Sequence, residues 1–264
     1  MSIMPNDEDE TLVERLLRLS VAEPAWRARF VAELMESSVL VLGHPDPQAG
    51  DTTPGTRLAL HQWETEAGEV VLPFFTSPAA LRRAVDEDVE AFSLPARSLF
   101  RAARGMKLLL NPGSAYGKEF LPEETETLLT QGPAPMPASR RVPAGTPLHL
   151  APPAETPVAL IDALTTLFAR HPNVIAAWLV SLEDPSSEGA PRLLIALDAE
   201  GEVGELIREA GVVANETAKA EDAVDLLRLD PHETLLHEHL RDTLPPFYER
   251  SWGARLFSGE VGHA

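Results

Sequence analysis

The 264-residue chain contains no cysteine, which excludes disulfide scaffolding, thiol catalysis, iron–sulfur clusters and thiolate zinc sites. What chemistry remains must use oxygen, imidazole or backbone groups. Basic side chains are scarce: 22 lysines and arginines stand against 41 aspartates and glutamates, for a formal charge of −19. A surface of that sign repels phosphate backbones, so nucleic acid is not an expected partner. No uncharged apolar run approaches the roughly 18 to 20 residues of a spanning helix. The longest, Val174 to Leu182, is strand-sized. The N-terminus, MSIMPNDEDE, is acidic where a signal peptide would be basic, and no apolar core segment follows it. The expectation is a cytoplasmic protein that does not enter a membrane.

Catalytic signatures are missing too. Gly113-Ser114-Ala115-Tyr116-Gly117-Lys118-Glu119 is superficially like a phosphate-binding loop, but that loop needs four residues between its glycines and a serine or threonine after the lysine. Here three residues separate the glycines, and Glu119 would repel phosphate. Lys118 with backbone N–H groups leaves at most a weak anion or carboxylate site. His232, His237 and His239 fall on one predicted helix without the four-residue spacing that turns two imidazoles toward one metal. There is no Gly-x-Ser-x-Gly elbow for a hydrolase. No catalytic, cofactor-binding or metal-ligating residue is assigned.

What is present is enough apolar material for a full core, 44% of residues, in a chain long enough for two domains. Helical spacing over 9–19, and from Pro24 through Trp26, Phe30, Val31, Leu34 and Met35, predicts a helical hairpin. Ser37 to Leu42 reads as a buried strand, 45–55 as a mobile loop, and Arg57 to Thr65 with Gly68 to Thr76 as a hairpin. Ser77-Pro78 caps a helix; a strand over 89–94 and a short helix over 96–104 follow. Met106 to Leu110 then runs into Asn111-Pro112-Gly113-Ser114, a type II turn, before a helix opens at Pro122 and Gly132 closes it. This order favours an α+β sheet covered on one side.

Between Gln131 and Pro157 lie 8 of the 24 prolines, and 133–146 is taken as a linker between domains at 1–132 and 147–264. The second domain reads as a strand at 147–150; a helix capped by Thr156 with Val158, Ile161, Leu164, Leu167 and Phe168 buried; strands at 174–182 and 192–197; a helix over 203–214; and a strand over 223–229. That β-α-β-β-α-β order predicts a ferredoxin-like domain, followed by one more helix and an aromatic tail. Phe247, Tyr248, Arg250 and Trp252 in that tail are expected to dock on their own domain, with a homodimer or partner surface as the alternative seat.

Several separated blocks carry a family resemblance. Leu72-Pro73-Phe74-Phe75-Thr76-Ser77, the turn Leu110-Asn111-Pro112-Gly113 with Gly117-Lys118-Glu119-Phe120, the Pro157 to Phe168 helix, and Pro246-Phe247-Tyr248-Glu249-Arg250-Ser251-Trp252 together resemble the enhanced serine sensitivity (SseB) family of proteobacteria. The resemblance implies a link to serine tolerance and brings no catalytic residue or cofactor with it. Ferredoxin-like modules of the ACT type bind amino acids, which raises a serine-sensing alternative, although Ala151 to Glu155 lacks the glycine that would let a ligand reach the backbone. A serine- or sulfur-linked enzyme with a dispersed site is the rival class. The leading expectation is a non-catalytic protein that binds a protein partner, with Asn111, Gly113, Ser114, Lys118 and the tail residues as candidate contacts.

Overall fold

Thr11 caps the first helix. Its hydroxyl accepts from the Glu14 N–H (3.2 Å) while the Glu14 carboxylate accepts from the Thr11 N–H (2.9 Å), a reciprocal capping box that starts helix α1 (Leu12–Ala22) at Leu12 rather than at Asp9. In the computed structural model, residues 10–45, 58–65, 67–85, 89–134, 149–183, 191–219, 223–229 and 234–250 are described. The chain divides into two compact units, Met1–Pro133 and Ala134–Ala264. The loop expected after Pro45 and nearly all of the expected linker lie outside the described residues.

In the first unit, α1 buries Val13, Leu16, Leu17 and Ser20, the i, i+3, i+4, i+7 stripe of an amphipathic helix. A single 3₁₀ turn from Pro24 leads into α2 (Arg27–Glu36), which packs on α1 as the predicted hairpin. Seven strands follow: β1 (Ser38–Pro45), β2 (Leu58–Leu60), β3 (Trp63–Glu64), β4 (Val70–Phe75), β5 (Ala91–Pro95), β6 (Lys107–Leu110) and β7 (Lys118–Phe120). They form one mixed sheet of order β2-β1-β4-β6-β7, with β5 also on β1 and β3 on β4. Among the described residues of this sheet, only β4 and β6 run parallel.

Residues 57–65 do not make one hairpin strand. A break at His61 and Gln62 lets Leu58–Leu60 join β1 while Trp63 and Glu64 alone pair with β4. Gly43 permits the first of these pairings, because a Cβ there would stand 2.7 Å from the Ala59 carbonyl oxygen.

Alternation along the strands serves two faces. Val39, Val41, Leu72, Phe74, Leu108 and Leu110 join α1, α2, α4 (Ala96–Ala102) and α5 (Pro122–Gln131) in the main core. Phe74, Phe100 and Phe120 meet there with ring centroids 5.1 to 6.2 Å apart. Leu40, Leu42, Phe75 and Trp63 pack with Ala80, Leu81 and Ala84 of α3 (Pro78–Ala84). Helical cover on both faces departs from the one-sided sheet expected above, because β1 and β4 are apolar in both parities.

The second unit has the predicted element order through its last helix, β8 (His149–Ala151), α6 (Val158–Ala169), β9 (Val174–Glu183), β10 (Arg192–Ala199), α7 (Gly204–Thr217), β11 (Val224–Arg228) and α8 (Thr234–Thr243), and the tail adds a short strand that was not predicted, β12 (Tyr248–Glu249). The α+β class is as expected, but the pairing is not ferredoxin-like. That arrangement separates the two strands of each β-α-β unit by a third strand. Here β8 lies antiparallel beside β9, and β10 lies parallel beside β11. The ten-residue β9 is long enough for β8 to pair at Ser181 to Glu183 and β12 at Ala176 and Ala177 on one edge, while β10 takes the other. The serine-sensing analogy rested on the split order and loses that support.

Two local expectations also change in this unit. Thr156 does not cap α6, whose N-terminal position is Pro157 with no side-chain hydrogen bond. The buried stripe is Leu160, Ala163, Leu164, Leu167 and Phe168, and Val158 is 61% exposed. Ala176, Trp178, Val180 and Leu182 of β9 face Leu240 of α8, and the Trp178 Nε1–H donates to the Leu244 carbonyl (3.1 Å).

Candidate functional site

Polar side chains converge where β4 and β6 end. From β4 the chain turns through α3 toward β5, beside β1; from β6 it turns the opposite way, to β7. In open sheets, ligand sites lie outside the carboxyl ends of neighbouring parallel strands whose connections diverge in this manner.

Asn111, the first residue after β6, is 2% exposed and holds a left-handed backbone (φ 48°), a conformation asparagine tolerates better than any residue with a bulkier side chain. Its N–H donates to the Phe74 carbonyl (2.9 Å). Its side chain bridges to β4: Oδ1 accepts from the Thr76 N–H (2.9 Å), and Nδ2 donates to Thr76 Oγ1 (2.8 Å). The Thr76 hydroxyl donates onward to Glu14 Oε1 (2.8 Å), and the Ser77 hydroxyl donates to the same oxygen (2.7 Å). Ser77 Oγ in turn accepts the Ala80 N–H (3.1 Å) and so caps α3, as its place in the sequence predicts.

One carboxylate therefore ties the start of α1 to the ends of β4 and β6. Burial of Glu14 works to raise its pKa, but hydrogen bonds from the Thr11 N–H and the Ser77 and Thr76 hydroxyls outweigh it and hold the group below the ordinary glutamate value. A carboxylate so engaged is a poor proton acceptor and a strong structural anchor.

Above this network sits the predicted turn. The Ser114 N–H donates to the Asn111 carbonyl (3.2 Å), and Gly113 has φ 76°, as the second central position of a type II turn requires. A side chain at Gly113 would also press on the end of α3, 3.1 Å from the Arg83 carbonyl oxygen. Ser114 Oγ is buried and has no hydrogen-bond partner among the described residues.

Lys118 does not face an open anion site. Its ammonium lies 2.9 Å from Glu124 in the first turn of α5 and 4.7 Å from the Phe120 ring centroid. Two large apolar side chains on this stretch, Tyr116 (40% exposed) and Leu121 (48% exposed), remain open to solvent.

The tail residues lie in the second unit. Phe247 and Arg250 donate their N–H groups to the Ala177 and Ile175 carbonyls (both 2.9 Å), which makes the tail an edge strand on β9. The Tyr248 hydroxyl donates to the Phe168 carbonyl (3.2 Å), and the rings of Phe247 and Tyr248 lie 6.0 and 5.7 Å from that of Phe168. Burial raises the Tyr248 pKa against the opposing pull of Arg250. The tail thus docks on its own unit; Trp252 lies outside the described residues.

Of the three histidines weighed from the sequence, His237 packs edge-on against Trp178 and places Nε2 3.3 Å from Asp198, His239 is exposed, and His232 lies outside the described residues. No cluster of three or more metal-ligating side chains occurs among the described residues. No helix among them is long and apolar enough to cross a membrane.

Sequence reasoning brought Asn111, Gly113, Ser114 and Lys118 together but missed Glu14, Thr76 and Ser77 as parts of one cluster. The pattern Thr11-x-x-Glu14 announces the capping box, yet nothing local says that the same carboxylate reaches residues 62 and 63 positions away.

Two comparisons bear on these blocks. Residues 12–127 match the family described as SseB protein N-terminal domain, and residues 142–250 match SseB protein C-terminal domain. The chain is 35% identical over 249 residues to Protein SseB of Escherichia coli (strain K12), covering 94% of this chain and 96% of that protein, and equally to Protein SseB of Shigella flexneri. No solved structure matches.

Proposed function

Because this chain belongs to the SseB family, we propose that it acts as a non-catalytic binding or regulatory protein, linked to serine tolerance, that engages a protein partner through the stretch from Asn111 to Leu121, the turn after β6 and the strand β7 that follows it. The observation that supports this is a division of labour at the end of β4 and β6. The polar groups that could do chemistry, Glu14, Thr76, Ser77 and Asn111, are spent on one another, while Tyr116 and Leu121 present apolar surface above them. A scaffold rigid below and apolar outside is what a docking loop needs. The charge of −19 favours a partner with a basic surface and speeds its approach.

The test is affinity capture with the tagged full chain beside a Tyr116→Ser/Leu121→Ser variant. A stoichiometric partner captured by the wild type and lost by the variant supports the proposal. Turnover of a metabolite by the pure protein, or a partner retained undiminished by the variant, would overturn it.

A further inference from the structure

His44 and His61 form an imidazole pair that the site above does not use. Gly43 and His44 of β1 pair with Leu60 and Ala59 of β2, and the His61 N–H continues the ladder by donating to the Leu42 carbonyl (2.9 Å). Counting along that register, His61 lies opposite Leu42 and therefore diagonal to His44 on the same face, within reach of long or ring side chains. Both rings are exposed, with centroids 5.3 Å apart, and they turn His44 Nδ1 and His61 Nε2 to within 3.1 Å of each other.

That separation is the bite of a chelate. Two imidazole nitrogens bound at about 2.0 to 2.1 Å stand roughly 3.3 Å apart on a tetrahedral ion and roughly 2.9 Å apart at adjacent corners of a square-planar one. The observed value falls between them. A hydrogen bond between two exposed rings gains little over water, so the contact contributes little to the fold. Its effect is to hold two ring nitrogens close before any ion arrives, which lowers the ordering cost of binding; the ring that donates in this bond must carry its proton on its other nitrogen before both can ligate. The backbone beneath is fixed by Gly43, where any larger residue would strike the Ala59 carbonyl and push the strands apart.

We propose that His44 and His61 form a two-imidazole site for a borderline divalent transition-metal ion such as Zn²⁺, with its remaining positions open to water or to a donor from another molecule. The acidic surface raises the local cation concentration and adds to this preference.

The experiment is a Zn²⁺ titration of the full chain by calorimetry, with His44→Gln and His61→Gln variants whose folding is checked by circular dichroism. The expected result is one ion per wild-type chain with Kd of about 10 to 100 μM, weakened at least about tenfold in either variant. In parallel, imidazole ¹⁵N spectra of the wild type should move at His44 and His61 on adding Zn²⁺, a readout that survives if a variant fails to fold. Unchanged affinity in both variants, or spectral shifts only at other histidines, would mean an adventitious ion only and would overturn the proposal. So would the absence of binding up to millimolar Zn²⁺.

Discussion

Asn111 shows what one residue can carry. It supplies a left-handed backbone, a buried N–H to Phe74 and two side-chain bonds to Thr76. Asn111→Ala removes both side-chain bonds and leaves a Cβ in a strained backbone, so urea denaturation should show a loss of about 2 to 3 kcal/mol. Asn111→Gly loses the same bonds but not the backbone fit, and should be the better tolerated by about 0.5 to 1 kcal/mol. Glu14 makes a prediction in pH. Its folded pKa is depressed, so the stability it contributes is present above the unfolded glutamate pKa and is lost as pH falls through the folded value. Glu14→Gln should therefore destabilise at neutral pH by about 1 to 2 kcal/mol, and the deficit relative to wild type should shrink as pH drops from about 5 to 3. A variant deficit that stays constant across that range would contradict the assignment. The sequence marks Asn111 as a turn residue and leaves its buried partner hidden, because Thr76 lies 35 residues away and only sheet pairing brings it alongside.

At the scale of elements, caps separate what local chemistry dictates from what it merely allows. Ser77 accepts the Ala80 N–H and also serves Glu14, whereas Thr156 caps nothing. Ser77→Ala should cost about 1 to 2 kcal/mol, and Thr156→Ala should stay within about 0.5 kcal/mol, as thermal melts of the two variants would show. Both residues stand before a proline and a predicted helix. The sequence treats them alike; the surrounding chain does not.

The tail strand β12 gives an alkaline counterpart to Glu14. Tyr248 has a raised pKa, so its contribution to docking is present below the unfolded tyrosine value and is lost as pH rises through the folded one, above about pH 10. Hydrogen exchange at the Phe247 and Arg250 amides, which donate to Ala177 and Ile175, should quicken there beyond the intrinsic base-catalysed rise. Tyr248→Phe should remove this titration step and cost about 1 kcal/mol through the lost bond to the Phe168 carbonyl.

For the whole molecule, the acidic balance sets the conditions of association. Capture of a basic partner should weaken as salt rises from about 0.05 to 0.5 M, because the screening length falls from above 10 Å to below 5 Å. Capture indifferent to salt would point instead to contacts made by Tyr116 and Leu121 alone.

The sequence by itself determined the α+β class, the helices and the longer strands, the type II turn at Pro112 and Gly113, the Ser77 cap and the family, because propensities, caps and turn angles act over a few neighbouring residues; the separate short strands β2 and β3, and β7 and β12, were not legible in it. The tertiary structure alone decided which strands became neighbours, that β8 pairs with β9 and β10 with β11, and that Glu14 meets Thr76 and Ser77. It also decided that His44 meets His61. A helix closes its own hydrogen bonds within four residues, but a strand must borrow a partner from elsewhere. The choice of that partner belongs to the packing of the entire unit and leaves no mark in any short stretch of the sequence.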